Sequence, residues 1–217
     1  MIGALVSGGK DSTFALKLAL ERQWKPSLLI TVLPERKDSW MFHTPNLFLM
    51  DAFADCVGLP LEKIRVSGEK EREVDELMSA LRGLNLTGLV SGAIASTYQK
   101  KRIDEICDTL GVIHYSPLWG RDPVEVLREE VLSGMEIIIT SVSAEGLGEE
   151  WLGRRLDLKA VDELLSLSKK FGINPAGEGG EYETLVVNAP FFKCRLRVKE
   201  EGKEWDGVRG TIKLTLL

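Results

Sequence analysis

Residues 2–12 read IGALVSGGKDS, and the architecture follows from them. Ile2 to Val6 form a short apolar run, the pattern of a strand buried on both faces. Ser7 to Ser12 then bring two glycines, two hydroxyls, a lysine and an aspartate. Phe14, Ala15, Leu18 and Ala19 recur at helical spacing beyond them. Strand, tight loop and helix in this order put the loop at the carboxyl end of a strand, where ligands bind in doubly wound sheets. Gly8 and Gly9 let the backbone approach a ligand closely. Amide groups at the helix start point at any bound anion, and the helix dipole favours negative charge there. Lys10 can add a positive charge, and Ser7 and Ser12 can donate hydroxyls. The bland alternative is a turn capped by Ser7 or Asp11. A cap needs one polar residue, whereas this loop supplies a whole set beside two glycines.

The same alternation continues outward. SLLITVL (27–33), EKIRV (62–66), GLVSGAI (88–94) and VIHY (112–115) read as strands. A helix is expected from Asn46 to Val57. Val74, Leu77, Met78 and Leu81 mark another by their spacing, and Ile103, Ile106, Cys107 and Leu110 mark a third. Apolar strands alternating with helices imply a doubly wound parallel α/β sheet of five strands, with helices on both faces and right-handed crossovers. After SPLWGRDP (116–123) the pattern changes. A helix from Pro123 to Leu132, a strand at 135–142 and a helix from Asp157 to Phe171 lead to two alternating segments. One runs through Phe192, Cys194, Leu196 and Val198, the other through Val208, Ile212, Leu214 and Leu216. A turn at EEGK (200–203) would make them an antiparallel hairpin. The expected division is 1–118 for an N-terminal nucleotide-binding domain and 119–217 for a smaller C-terminal α/β domain.

Hydrophobic residues make up 44% and charged residues 28%, with a net charge of -5. The charge argues against broad nucleic-acid binding. No run of about 18 apolar residues and no signal-peptide pattern occurs, so the expectation is a cytoplasmic protein without a membrane span. Cys56, Cys107 and Cys194 are scattered, with no CxxC pair. They read as packing residues rather than a redox pair or zinc site.

The loop SGGKDS departs from GxxxxGK[ST]. It resembles the pyrophosphatase loop, SGGxDS, of ATP pyrophosphatases, enzymes that cleave ATP between the α- and β-phosphates and adenylate an acceptor. By that resemblance Ser7, Gly8, Gly9, Lys10, Asp11 and Ser12 hold ATP. A second segment, SGAIASTYQKKRIDEIC, runs off the fourth strand into a helix capped by Ser96 or Thr97. Gly92 thins the strand end where a ligand would lie. Arg102 can grip a carboxylate or phosphate in two-point fashion; a solvated face formed by Lys100, Lys101 and Arg102 is the alternative that spacing alone favours.

The third segment is PAGEGGEYETL (175–185), which crowds Glu178, Glu181 and Glu183 among three glycines. Extended backbone would put Glu181 and Glu183 on one face. Such carboxylates attract a cation and can take its proton. Solvated acids on a surface turn, with Tyr182 packed on the core, are the bland reading.

The order of GAIAS, TYQ, KKR, PLW (117–119), LG (152–153) and GEGGEYETL, together with SGGKDS and FHTPN (42–46), resembles diphthine–ammonia ligases over nearly the whole chain. The resemblance implies amidation of a modified histidine, diphthine, on elongation factor 2. ATP and Mg²⁺ would be used, ammonium would be the nitrogen donor, and an acyl-adenylate would release AMP and pyrophosphate. It implies Lys10, Arg102, Glu178, Glu181 and Glu183 as catalytic residues. Gly92 and His43 would join the loop at the nucleotide, while Tyr98, Gln99, Arg102, Tyr182 and Thr184 would contact the substrate. Eukaryotic relatives carry further C-terminal domains, so the chain resembles an archaeal-type minimal form. No paired Cys and His suggests a glutaminase. His43 and Trp40 fall where an adenine would lie, although a structural loop histidine reads equally well. The basic residues Lys193, Arg195, Arg197 and Lys199, with Arg209 and Lys213, are either a solvated face or a docking surface for the elongation factor or its bound RNA. A homo-oligomer is compatible with the sequence. Two other functions stay open: another adenylating enzyme, such as one that thiolates tRNA, or a nucleotide sensor without chemistry.

Overall fold

A computed structural model describes residues 1–35, 47–69 and 71–217. The loop residues Trp40, His43 and Pro45, and Asn46 at the expected helix start, lie outside the described residues. In chain order the elements begin β1 (Ile2–Leu5), α1 (Lys10–Glu21), β2 (Leu28–Pro34), α2 (Met50–Val57), β3 (Leu61–Val66) and α3 (Arg72–Arg82). They continue with β4 (Gly88–Val90), α4 (Thr97–Leu110), β5 (Ile113–Tyr115), α5 (Pro123–Leu132) and β6 (Glu136–Val142). The last are α6 (Leu158–Phe171), β7 (Tyr182–Asn188), β8 (Val198–Trp205) and β9 (Gly210–Leu216). Short 3-10 turns, Leu47–Leu49 and Glu149–Trp151, precede α2 and follow β6.

The first sheet is fully parallel, in the order β3-β2-β1-β4-β5. Its inner strands are mostly apolar because helices cover both faces, and β2 buries Leu28, Leu29, Ile30, Thr31 and Val32 in succession, whereas the edge strand β3 exposes Glu62, Lys63 and Arg65. The strand order reverses between β1 and β4, and this switch point opens a crevice at their carboxyl ends. The second sheet is antiparallel, in the order β7-β6-β9-β8.

One hydrophobic core joins the two sheets. Ala4, Val6, Phe14 and Leu16 of the first half pack with Leu127, Ile137, Ile139, Leu164 and Val186 of the second. That shared burial holds the two halves in one register, because exposing either face would cost about 25 cal/mol per Å² of apolar area.

Three expectations need correction. The terminal hairpin turns at 206–209, not at 200–203: Asp206 accepts the backbone N–H groups of Val208 and Arg209, and β8 runs on through Trp205 with an irregularity at Glu200/Gly202. Alternation in 192–198 suggested a strand, but residues 192–197 are irregular, with a bend at 193–194, and the strand begins only at Val198. Bonds to other segments take that backbone: Lys193 N–H donates to the Cys56 carbonyl and Leu196 N–H to the Val187 carbonyl. The cysteines also differ from expectation. Cys56 of α2 and Cys194 form a disulfide, with Cα atoms 4.7 Å apart across 138 residues of sequence, while Cys107 is free and buried. Nothing in the spacing of two cysteines so far apart announces that the fold brings them together.

Candidate active site

The loop between β1 and α1 is shaped by what lies against it. Gly8 has φ +80, a left-handed conformation that glycine adopts without strain. A Cβ there would also press on Leu185 at 3.2 Å and Met50 at 3.3 Å. Gly9 caps α1 in an extended conformation with no side-chain cap of its own. Two bonds stitch the loop to β7. Lys10 N–H donates to Thr184 Oγ1 at 3.0 Å, and Val186 N–H donates to the Gly8 carbonyl at 2.8 Å. Ser7 and Ser12 share a hydroxyl bond of 3.2 Å beneath the loop. On the other side Gly92, just past β4, is forced to be glycine by contact: a Cβ would lie 2.7 Å from the Ser12 backbone.

These segments enclose a crevice of about 780 Å³, within the range of small-molecule sites, roughly 300–1,000 Å³. Ser7, Asp11 and Ser12 form one wall, Ser91, Gly92 and Gln99 a second, and Gly177, Glu178 and Glu183 the third. Glu178 Oε2 accepts the Ala95 N–H at 3.3 Å, tying the acidic loop to the start of α4. Two segments about 170 residues apart in sequence thus face each other across one opening.

The three glutamates do different things. Glu183 sits in the wall, where burial and the nearby Asp11 push its pKa up to about 7 although Lys10 pulls it down. Glu178 is also raised, by burial and then by Asp11. Glu181 turns into its own loop and accepts the N–H groups of Asn174 at 2.9 Å and Gly179 at 2.8 Å, so its carboxylate braces the glycine bend. Tyr182 is buried and donates its hydroxyl to the Pro175 carbonyl at 2.9 Å. Thr184 serves the loop through its bond to Lys10.

Lys10 points into the core rather than the crevice. It is only 3% exposed, its Nζ lies 2.6 Å from Asp11 Oδ1 and 3.8 Å from Glu130 Oε2, and its ring contact with Tyr182 is 5.9 Å. Burial works against its charge, but Asp11 and Glu130 outweigh it and hold the ammonium protonated. Glu130 of α5 was not among the sequence candidates. It is fully buried, neither carboxylate oxygen has a hydrogen-bond partner among the described residues, and burial drives its pKa well above the usual range. The signal was available: Val126, Leu127 and Glu130 share one helical face, so a carboxylate stands at a core position.

Arg102 is held elsewhere. Its guanidinium bonds Glu105 at 2.7 Å and Glu71 at 2.6 Å, lies over the Tyr98 ring, and is charged more firmly by those bonds. Ser96, not Thr97, caps α4, accepting the Gln99 N–H. Among the described residues, the arginine on the crevice wall is Arg209, from the β8–β9 turn, beside Gly210 and Ser141. The sequence placed Arg209 on a basic alternating face, with nothing to mark it for the crevice. His43 lies outside the described residues. Among the described residues no group of three or more His, Cys, Asp or Glu side chains could hold a metal by itself.

A glycine loop at the switch point of a 3-2-1-4-5 parallel sheet, faced by partly desolvated carboxylates, marks the class: an α/β nucleotide-binding protein whose anion cradle opens on a group able to move protons. Comparison with known proteins narrows the class to one family. Residues 1–114 match the model of the diphthamide synthase N-terminal domain, and residues 122–216 match that of the diphthamide synthase C-terminal domain. The chain belongs to the diphthamide synthase family. It is 34% identical over 212 residues to the diphthine--ammonia ligase of Schizosaccharomyces pombe, covering 88% of this chain and 35% of that protein. It is 31% identical over 220 residues to the diphthine--ammonia ligase of Homo sapiens, covering 91% of this chain and 82% of that one. The chain therefore spans about a third of the fission-yeast relative and most of the human one. A solved structure titled as a predicted subunit of tRNA methyltransferase from Methanocaldococcus jannaschii aligns with a TM-score of 0.47 and 16% identity, over 90% of this chain and 100% of that chain.

Proposed function

We propose that this chain is a diphthine–ammonia ligase, which converts the diphthine of elongation factor 2 to diphthamide at the expense of ATP. The carboxylate of the acceptor attacks the α-phosphorus, pyrophosphate leaves, ammonia attacks the acyl carbon, and AMP departs. Residues 1–118 hold ATP, and 119–217 supply the acceptor and ammonia side of the crevice.

Each step has residues suited to it. The amides of Gly8, Gly9 and the first turn of α1, with the Ser7 and Ser12 hydroxyls, cradle phosphate charge. Lys10 fixes the loop from behind, through its buried charge. Mg²⁺ neutralises the phosphates when bound; Asp11 is the crevice carboxylate fitted to it, and the phosphates would provide the other ligands. Arg209 grips the acceptor carboxylate, because Arg102 is engaged by Glu71 and Glu105. Glu178 draws ammonium into the crevice. Glu183 takes its proton, since a general base works best with a pKa near the working pH. Glu181 keeps the acidic loop in shape. Ammonium is the nitrogen source, and cytoplasmic elongation factor 2 is the macromolecular partner.

One observation carries this reading: Glu183, with a pKa of about 7, lines the same crevice as the SGGKDS loop that β7 is bonded to. The test is incubation with diphthine-bearing elongation factor 2, ATP and ammonium. AMP, pyrophosphate and amide should form in equal amounts. A requirement for tRNA instead of the factor would point to the tRNA-thiolating reading, no turnover at all to the sensor reading, and ADP as the product would contradict adenylation.

A further inference from the structure

Beneath the second wall of the crevice lies a polar chain that the reaction above does not use. Ser91, just past β4, lines the crevice, and its Oγ is 2.8 Å from His114 Nε2. His114, on β5, has its Nδ1 2.6 Å from Asp104 Oδ1 on α4. Lys100, one turn earlier on α4, bonds the same carboxylate at 2.6 Å. Ser116 lies 2.9 Å from Ser91 Oγ and 3.0 Å from His114 Nε2. The His114 side chain is 6% exposed, whereas that of Asp104 is 38% exposed. The chain therefore starts at the crevice wall, passes through a buried imidazole and ends at a carboxylate open to solvent.

The parts are mutually oriented. A carboxylate on Nδ1 holds that nitrogen protonated, which leaves Nε2 as an acceptor facing the serine hydroxyl. Burial favours neutral imidazole. Burial opposes the charge on Asp104, but bonds from Lys100 and His114 outweigh it and keep the carboxyl ionised. Among the described residues the charged groups that act on the ring, Asp104, Lys100 and Asp108, all come from α4; Ser91 after β4 and Ser116 after β5 contribute hydroxyls. A buried histidine satisfied by its neighbours would need one partner on each nitrogen. Here both serines converge on Nε2, and one of them stands at the crevice wall.

We infer that Ser91, His114 and Asp104 form a proton relay that takes up the second proton released in amide formation. The inference rests on the ligase reading. Two protons must leave the nitrogen: ammonium gives one to Glu183 before attack, and the tetrahedral adduct then carries a cationic amine. That amine passes a proton to Ser91 Oγ as Ser91 hands its own to His114 Nε2. The C–O bond to the phosphate breaks, its electron pair leaves with AMP, and the amide remains neutral. The imidazolium beside Asp104 then releases its proton toward solvent. His114 is a positioning and relay residue, because it acts through Ser91.

The experiment separates the half-reactions. ATP–pyrophosphate exchange on diphthine-bearing elongation factor 2 reads adenylation, and amide formation with ammonium reads the second step. Ser91→Ala and His114→Asn should lower kcat for amide formation by about 10²-fold, the usual scale of a lost proton transfer. Exchange should be retained, and Ser91→Thr should recover most of the amide rate. Equal loss of both half-reactions, a change in KM alone, unchanged amide formation, or no recovery in Ser91→Thr would overturn the relay. If His114→Asn does not fold, the Ser91 pair decides. A wild-type protein giving neither exchange nor amide would overturn the ligase reading and the relay with it. An active wild type with indifferent variants would overturn the relay alone.

Discussion

Replacing Glu183 by Gln should make the ligand-free protein more stable and its amide synthesis far slower. The Glu183 carboxyl is raised from 4.5 to about 7 chiefly by burial, then by Asp11, with Lys10 opposing. A carboxyl whose folded pKa is raised helps stability below its unfolded pKa and loses that contribution as pH rises through the folded value. Ionising Glu183 above pH 7 therefore costs about 3 kcal/mol, at roughly 1.4 kcal/mol per pKa unit. Glutamine has nearly the same shape and never carries this cost. In urea unfolding at pH 8, Glu183→Gln should gain about 3 kcal/mol over wild type, equivalent to roughly 6–12 °C in Tm at this chain length. At pH 5 the gap should shrink to about 1 kcal/mol or less, because wild type is then mostly protonated. Amide formation should meanwhile fall by about 10²–10⁴-fold. Equal stability at pH 8, or a gap that does not close toward pH 5, would refute the claim of a desolvated base. An amide rate left intact would refute its role.

Three further perturbations address the surroundings. Gly92→Ala forces a Cβ to within 2.7 Å of the Ser12 backbone, so calorimetry should show ATP affinity reduced about tenfold or more, equal to roughly 1.4 kcal/mol of displaced loop. Glu130→Ala empties a fully buried position of α5 beside the Lys10 ammonium; denaturant unfolding at pH 7 should show a loss of about 3 kcal/mol, the scale of a large-to-small core substitution. Cys194→Ser opens the closure of a 138-residue separation. On the chain-entropy model it should cost up to about 5 kcal/mol in thermal unfolding, and ATP binding should be unaffected.

Much of the fold was legible because a parallel sheet buries both faces of its strands. IGALV, SLLITVL and GLVSG are unbroken apolar runs for that reason, and the helices between them show their inner faces by spacing. The switch-point loop was legible because glycines, hydroxyls and a lysine after a strand serve few other purposes. What failed to show depends on partners distant in sequence. Alternation over 192–198 looked like a strand, but Cys194 and Lys193 are drawn to α2 and to the Cys56 carbonyl. Arg102 looked available until Glu71, from the end of another helix, was found against it. Periodicity showed Glu183 beside Glu181, but not that one faces the crevice while the other caps two N–H groups of its own bend. Glu130 and His114 hid as one charge on an apolar face and one ring in a short strand.

The most direct measurement is a crystal structure of the protein with a non-hydrolysable ATP analogue. The account predicts the phosphates on the amides at the start of α1, with the α-phosphorus turned toward Glu183 and Glu178 inside the one crevice. A nucleotide seated on another face of the sheet, or an α-phosphorus walled off from both carboxylates, would contradict it.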